Sequence, residues 1–284
     1  MEDNSVWNWY ERFGNLTLGA QVLDETGLNG AKNVAGSVMF ELSKWYGDCI
    51  SERGDVRIAY SARLRYGHLN VSYSSLLDGE AVAHSLRRAR IVDEGQTLSW
   101  EAPGLSAIWT RQDAELQATI FESEAGAVEW RCVMPKGSAC MNGVRGLGYA
   151  EHLRITVAPW KLPIRTLRWG RFLAPKTTLV WIDWQGEFAI RIVFLNGQRV
   201  LAETLDDGGL LLDNGVRISF DRAHVLRQGS LGSTVFAAIP GIGRVAPARM
   251  FRVTECKWKS RARIQAPGGP AEEGWCIHEV ANWP

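Results

Sequence analysis

The segment LGYAEHLRITVAPW, Leu147 to Trp160, sets a tyrosine, a glutamate, a histidine and an arginine into what otherwise reads as a buried strand. Successive side chains of a strand point to opposite faces, so Tyr149, Glu151 and Leu153 share one side and His152 and Arg154 the other. Burying a neutral polar group without a partner costs roughly 2–7 kcal/mol, and a charge costs more. Each of these groups must therefore be paired, wet or functional. A second segment, LVWIDW, raises the same question. As a strand it places Trp181 and Asp183 on one face and Val180, Ile182 and Trp184 on the other, so the aspartate sits among tryptophans whichever way it lies. Two accounts stand side by side. In one, Glu151 or Asp183 pairs with Arg154, Arg168 or Arg171 in a structural network. In the other, a carboxyl enclosed by aromatic walls has a perturbed pKa and marks a functional site.

Other motifs carry less. PGIGRVA follows the strand-like TVFAAI and offers Gly241, Gly243 and Ala246 in a superficial dinucleotide fingerprint, but Pro247 stands where a helix would have to open. A glycine turn is the better reading. In CKWKSRARIQ the cations Lys257, Lys259, Arg261 and Arg263 alternate with Trp258, Ala262 and Ile264, the period of a strand with one wet and one buried face. There is no phosphate-binding loop and no nucleophile elbow. Cys276 and His278 lie two residues apart without further nearby ligands, so no metal site and no cofactor are expected.

The elements that must hold these residues read as strands. Turn signals recur at Asp78-Gly79, Asn196-Gly197 and Asn214-Gly215, each between apolar runs, and each predicts a hairpin. Ala81 to Val92 fits either a helix or a strand. Antiparallel strands joined in this way hide their edges by closing into barrels. Pro159, Pro163 and Pro175 punctuate the middle and predict a joint near residues 158–165, dividing the chain into domains 1–160 and 161–284.

Composition bounds the function. Thirty-two basic residues against 31 acidic ones leave a formal charge of +1, which gives no global field to attract nucleic acid or an anionic membrane. No apolar run is long enough to span a bilayer, and the start, MEDNSVWNWYERF, is acidic where a secretory leader is basic and then greasy. A cytoplasmic protein is expected. Five cysteines, odd in number and irregularly spaced, fit free thiols. Thirteen tryptophans are the outlier, and suit either a tryptophan-rich core or a cavity that encloses something flat or greasy.

VEWRCVMPKG, GLGYAEH, LRWGRF and LVWIDW together resemble the carotenoid 1,2-hydratase (hydroxyneurosporene synthase)/AttH-like family. The similarity is most specific over residues 128–184 and extends through VWNWYERF near the start and GWCIHEVANW at the end. It implies an all-β fold of two lipocalin-like antiparallel β-barrels in tandem. It also carries a histidine onto His152 and an aromatic-x-Asp strand onto Trp181 and Asp183. Two positions depart from the hydratases: Arg154 stands in place of a tryptophan, and Trp181 in place of a tyrosine. An arginine in the cavity would suit a substrate with a carboxylate, a phosphate or another polar end.

The implied chemistry is addition of water to an alkene. That needs a carboxylic acid kept protonated by a dry setting and π-faces that stabilise the resulting cation. Asp183, His152 and Glu151 are the expected catalytic groups, with Tyr149, Arg154, Trp169, Arg171 and Trp181 lining the site near the domain junction. The expected function is cofactor-free acid catalysis (hydration, cyclisation or isomerisation) on a hydrophobic isoprenoid- or polyketide-like molecule. A templating pericyclase, a carrier of a lipophilic ligand and a carbohydrate-binding module are the alternatives.

Overall fold

The computed structural model describes residues 39–79, 81–222, 224–239, 241–244 and 246–284. The VWNWYERF stretch that carried part of the family resemblance lies outside the described residues. The strands are rich in β-branched and aromatic residues, and tight turns separate them. At Asn196-Gly197 both residues have positive φ, 49° and 80°, the backbone that a two-residue hairpin turn demands. Gly79 and Gly215 serve the other two expected hairpins, at φ 59° and 78°.

The first ten strands are β1 (Phe40–Ile50), β2 (Val56–Tyr66), β3 (Leu69–Asp78), β4 (Ala81–Ser85), β5 (Arg90–Asp93), β6 (Thr97–Ala102), β7 (Leu105–Arg111), β8 (Leu116–Ser123), β9 (Gly126–Met141) and β10 (Val144–Ile155). They form one antiparallel sheet in the order β4-β3-β2-β1-β10-β9-β7-β6-β5, with β8 also on β9. The ambiguous Ala81 to Val92 stretch is thus two strand segments, β4 and the start of β5.

The next ten are β11 (Ile164–Leu173), β12 (Thr178–Gly186), β13 (Ile190–Leu195), β14 (Gln198–Val200), β15 (Ala202–Leu205), β16 (Gly209–Leu212), β17 (Arg217–Phe220), β18 (His224–Ser230), β19 (Thr254–Gln265) and β20 (Ala271–Asn282). Their order, β14-β13-β12-β11-β20-β19-β17-β16-β15 with β18 on β19, repeats the first path strand for strand. The protein is all-β, with two lipocalin-like antiparallel barrels in tandem. Residues 156–163, including a single 3-10 turn at Pro159–Lys161, connect them.

TVFAAI is not a strand. Ser230 caps a short helix α1 (Leu231–Thr234) by accepting from the Ser233 amide, and Phe236–Ala238 continues in a 3-10 turn. With α2 (Ala248–Phe251), this segment buries Ile242, Ala246, Met250 and Val253 against Leu64, Leu69, Trp160 and Trp283.

Strand alternation sorts the core into three parts. Leu98, Trp100, Trp109 and Met134 fill the first barrel, and Phe172, Trp181, Leu210 and Ile264 fill the second. A third and larger cluster takes the outer faces of both sheets, including Tyr46, Tyr60, Trp130 and Tyr149 from the first and Trp169, Val180, Trp184 and Ile277 from the second. The sheets therefore pack back to back. Their central strands correspond closely: Gly47 and Gly170 each stand three residues before the strand end. A Cβ on Gly47 would lie 3.0 Å from Trp109, and one on Gly170 only 2.2 Å from Trp181, so both positions admit a tryptophan because they lack a side chain.

The back-to-back packing corrects the reading of CKWKSRARIQ. Arg261 and Arg263 are exposed, but Lys257, on the same face of β19, is 2% exposed because the first sheet covers that end of the strand.

Candidate active site between the sheets

Asp48 and Arg171 follow the two matching glycines on β1 and β11, and they meet across the junction at 2.6 Å with both side chains fully buried. Tyr46 and Trp169 precede those glycines and touch edge to face, with ring centroids 5.0 Å apart. On the neighbouring strands, the residue opposite Tyr46 is Glu151 and the residue opposite Trp169 is Glu279. The repeated topology thus brings two glutamates to corresponding places on the buried faces.

Their surroundings differ. Glu151 Oε2 accepts from Trp130 Nε1 at 2.5 Å, Tyr149 Oη at 2.6 Å and Trp169 Nε1 at 3.2 Å. These donors are neutral, and among the described residues none reaches Oε1. Burial pushes the Glu151 carboxyl above its ordinary range, opposed only in part by the Trp130 and Tyr149 hydrogen bonds and by the Lys44 and Lys257 charges. The Tyr149 hydroxyl, buried beside Cys132 and Glu151, is pushed up as well, so it stays a donor.

Glu279 is ion-paired with Lys257. Burial again works against the anion, but Lys257, Lys44 and Arg227 overcome it and hold the Glu279 pKa at about 2. The Lys257 ammonium lies 4.7 Å from the Trp169 ring centre and 5.1 Å from that of Tyr46, so these two aromatic faces already accept a cation. The same two lysines act on both carboxyls, so one aromatic-walled site holds a carboxyl raised by burial beside a carboxylate held down by its ion pair. Glu151 and Glu279 are half-buried, and Trp130, Tyr149 and Trp169 around them are buried.

The eight residues expected to line one junction site do not all reach it. Tyr149, Glu151 and Trp169 meet there, and Arg171 lies close by but is committed to Asp48. His152 and Arg154 point the other way along β10. His152 Nε2 is 2.8 Å from Ser43 Oγ, and its ring lies tilted against Trp45, centroids 4.6 Å apart, on the inner side of the first barrel. Burial, with Arg131 and Arg154 nearby, lowers its pKa. Arg154 is exposed and paired with Glu129 at 2.9 Å.

Trp181 and Asp183 face into the second barrel. Trp181 stacks on Phe220, and Asp183 is 1% exposed with Arg191 at 3.0 Å, Gln185 at 2.8 Å and Arg168 at 3.8 Å. Asp183 thus sits in an ion-pair network. His278 is buried in the same barrel against Trp258 and Phe220, and burial, with Arg222 and Lys257, takes its pKa down to about 3. Among the described residues no group of His, Cys, Asp and Glu is placed to hold a metal ion.

Sequence reading missed Lys44, Tyr46, Trp130, Lys257 and Glu279. The signal available was the pair of strands WYGD and RWGR, whose matching glycines place Tyr46 with Trp169 and Asp48 with Arg171.

No family model and no curated protein matches this chain. Solved structures do. CghA, crystallised with Sch210972, superposes with a TM-score of 0.55 at 9% identity, covering 86% of this chain and 89% of that one. A putative AttH from Nitrosomonas europaea superposes with a TM-score of 0.50 at 12% identity, covering 91% and 98%. The resemblance read from residues 128–184 therefore holds at the level of the fold.

Proposed function

We propose that this protein is an enzyme acting by acid catalysis on a hydrophobic alkene-bearing small molecule, at the junction of its two barrels, with Glu151 as the proton donor. The observation that carries the reading is the contrast between Glu151, held by three neutral donors and raised by burial, and Glu279, held ionised by Lys257. A CghA structure of the same fold contains a small molecule, Sch210972, which supports a ligand-binding role for the architecture.

The step balances without an added reagent. The Oε1 proton goes to an alkene carbon, the π pair forms the new C–H bond, and Glu151 is left as the carboxylate. The resulting tertiary cation is stabilised by the negative charges of Glu279 and of the newly formed Glu151 carboxylate. Water then adds and loses a proton, a neighbouring C–H proton is lost, or a second π bond closes a ring and the new cation loses a proton, giving hydration, isomerisation or cyclisation. In each case a proton returns to Glu151.

Deuterium incorporation tests the reading. Farnesol and geranylgeraniol incubated with the protein in D₂O are expected to gain carbon-bound deuterium, detected by mass spectrometry, and Glu151→Gln is expected to remove it. A templated pericyclic reaction would form product without deuterium and would survive Glu151→Gln, which would move the assignment to that alternative.

A further inference from the structure

A separate cavity of about 290 Å³ opens in the first barrel, on the face of β1 and β2 turned away from Glu151. We propose that it is a second ligand site, for a small molecule that carries an anionic head, carboxylate or phosphate, on a flat apolar body. Its size is near the lower end of small-molecule pockets, which run from roughly 300 Å³ upward.

Charge selects the head. Arg63 and Arg65 stand two residues apart on one face of β2, and Arg88 comes from the connection between β4 and β5, the two sheet edges that do not pair. Among the described residues Glu41 is the one carboxylate lining the cavity, and it is already engaged by Arg65 at 3.1 Å and Arg154 at 3.8 Å. Arg63 donates to the Asn70 side chain at 3.4 Å, and among the described residues neither Arg63 nor Arg88 has an ionic partner. Among the described residues, two guanidiniums at the mouth of the cavity thus lack an acidic partner. Their planar donors fit a carboxylate or phosphate, and that pairing is stronger than a neutral hydrogen bond.

The wall selects the body. Trp45 lines the cavity and packs against the tilted His152 ring, while His152 is fixed in turn by Ser43. Ala62, Ala89 and Ile91 supply apolar surface beside it. A flat body can lie along the indole with its head toward Arg63 and Arg88. His152 acts here as a positioning residue for Trp45, a role independent of the acid at Glu151.

Isothermal titration with 1-naphthyl phosphate, 2-naphthoate and uncharged 2-naphthol tests this. Either anion is expected to bind more tightly than 2-naphthol, and their order tells phosphate from carboxylate preference. Arg63→Gln/Arg88→Gln is expected to weaken anion binding about tenfold or more for each guanidinium lost, with an unchanged circular dichroism spectrum because both side chains are exposed. Trp45→Leu should weaken all three probes. Equal affinity for 2-naphthol, or anion binding unchanged in the double variant, would overturn the proposal.

Discussion

Glu151 and Glu279 occupy matching places on matching strands, and only their neighbours differ. The indoles and phenol around Glu151 supply hydrogen bonds without charge, so desolvation prevails; the ammonium on Glu279 reverses that balance. Turnover should therefore fall as pH rises through the elevated Glu151 pKa, with a midpoint above the ordinary glutamate value of about 4.3, read from the pH profile of deuterium incorporation. Glu151→Gln should lower the rate by about 10²- to 10⁴-fold.

Stability follows the same signs. The raised Glu151 contributes stability below the unfolded-state pKa and loses it as pH rises through the folded one. The depressed Glu279 contributes above the unfolded pKa and loses it as pH falls toward about 2. Urea midpoints across pH for Glu151→Gln and Glu279→Gln should show these opposite slopes against the wild type. Asp183→Asn, by contrast, should cost stability rather than the chemical step. We expect about 1–3 kcal/mol from urea denaturation, below the usual figure for a broken buried pair because Arg191 and Arg168 reach solvent.

At the scale of strands, the alternation read from the sequence holds: Tyr149 and Glu151 share a face, as do Trp181 and Asp183. What alternation leaves open is which face another sheet will cover. That is why Lys257 reads as solvated and is buried, and why His152 and Asp183, expected in one site, lie inside different barrels. The hairpins were legible because Asn-Gly and Asp-Gly dictate a local backbone. The meeting of Glu151 with Trp169 depends on contact between strands of two sheets, which no local pattern encodes.

The Asp48–Arg171 pair shows what such contact costs. Asp48→Asn alone should destabilise by about 3–5 kcal/mol, because it leaves a buried guanidinium without its counter-charge. The double change Asp48→Leu/Arg171→Met should recover most of that in thermal denaturation. Gly170→Ala should also destabilise, since its methyl would meet the Trp181 ring at 2.2 Å.

For the molecule as a whole, the largest core belongs to neither barrel alone but lies between them. The two barrels should consequently unfold together, with tryptophan fluorescence and far-ultraviolet circular dichroism tracing one transition in urea. Among the described residues no helix is long and apolar enough to cross a membrane. The most direct test of the account is the titration of the Glu151 side-chain carboxyl by carbon-13 NMR, assigned through Glu151→Gln. The account predicts a midpoint clearly above about 4.3, with Glu279 still ionised throughout that range. A Glu151 midpoint at or below the ordinary value would contradict it, because the junction would then hold two anions and no proton donor.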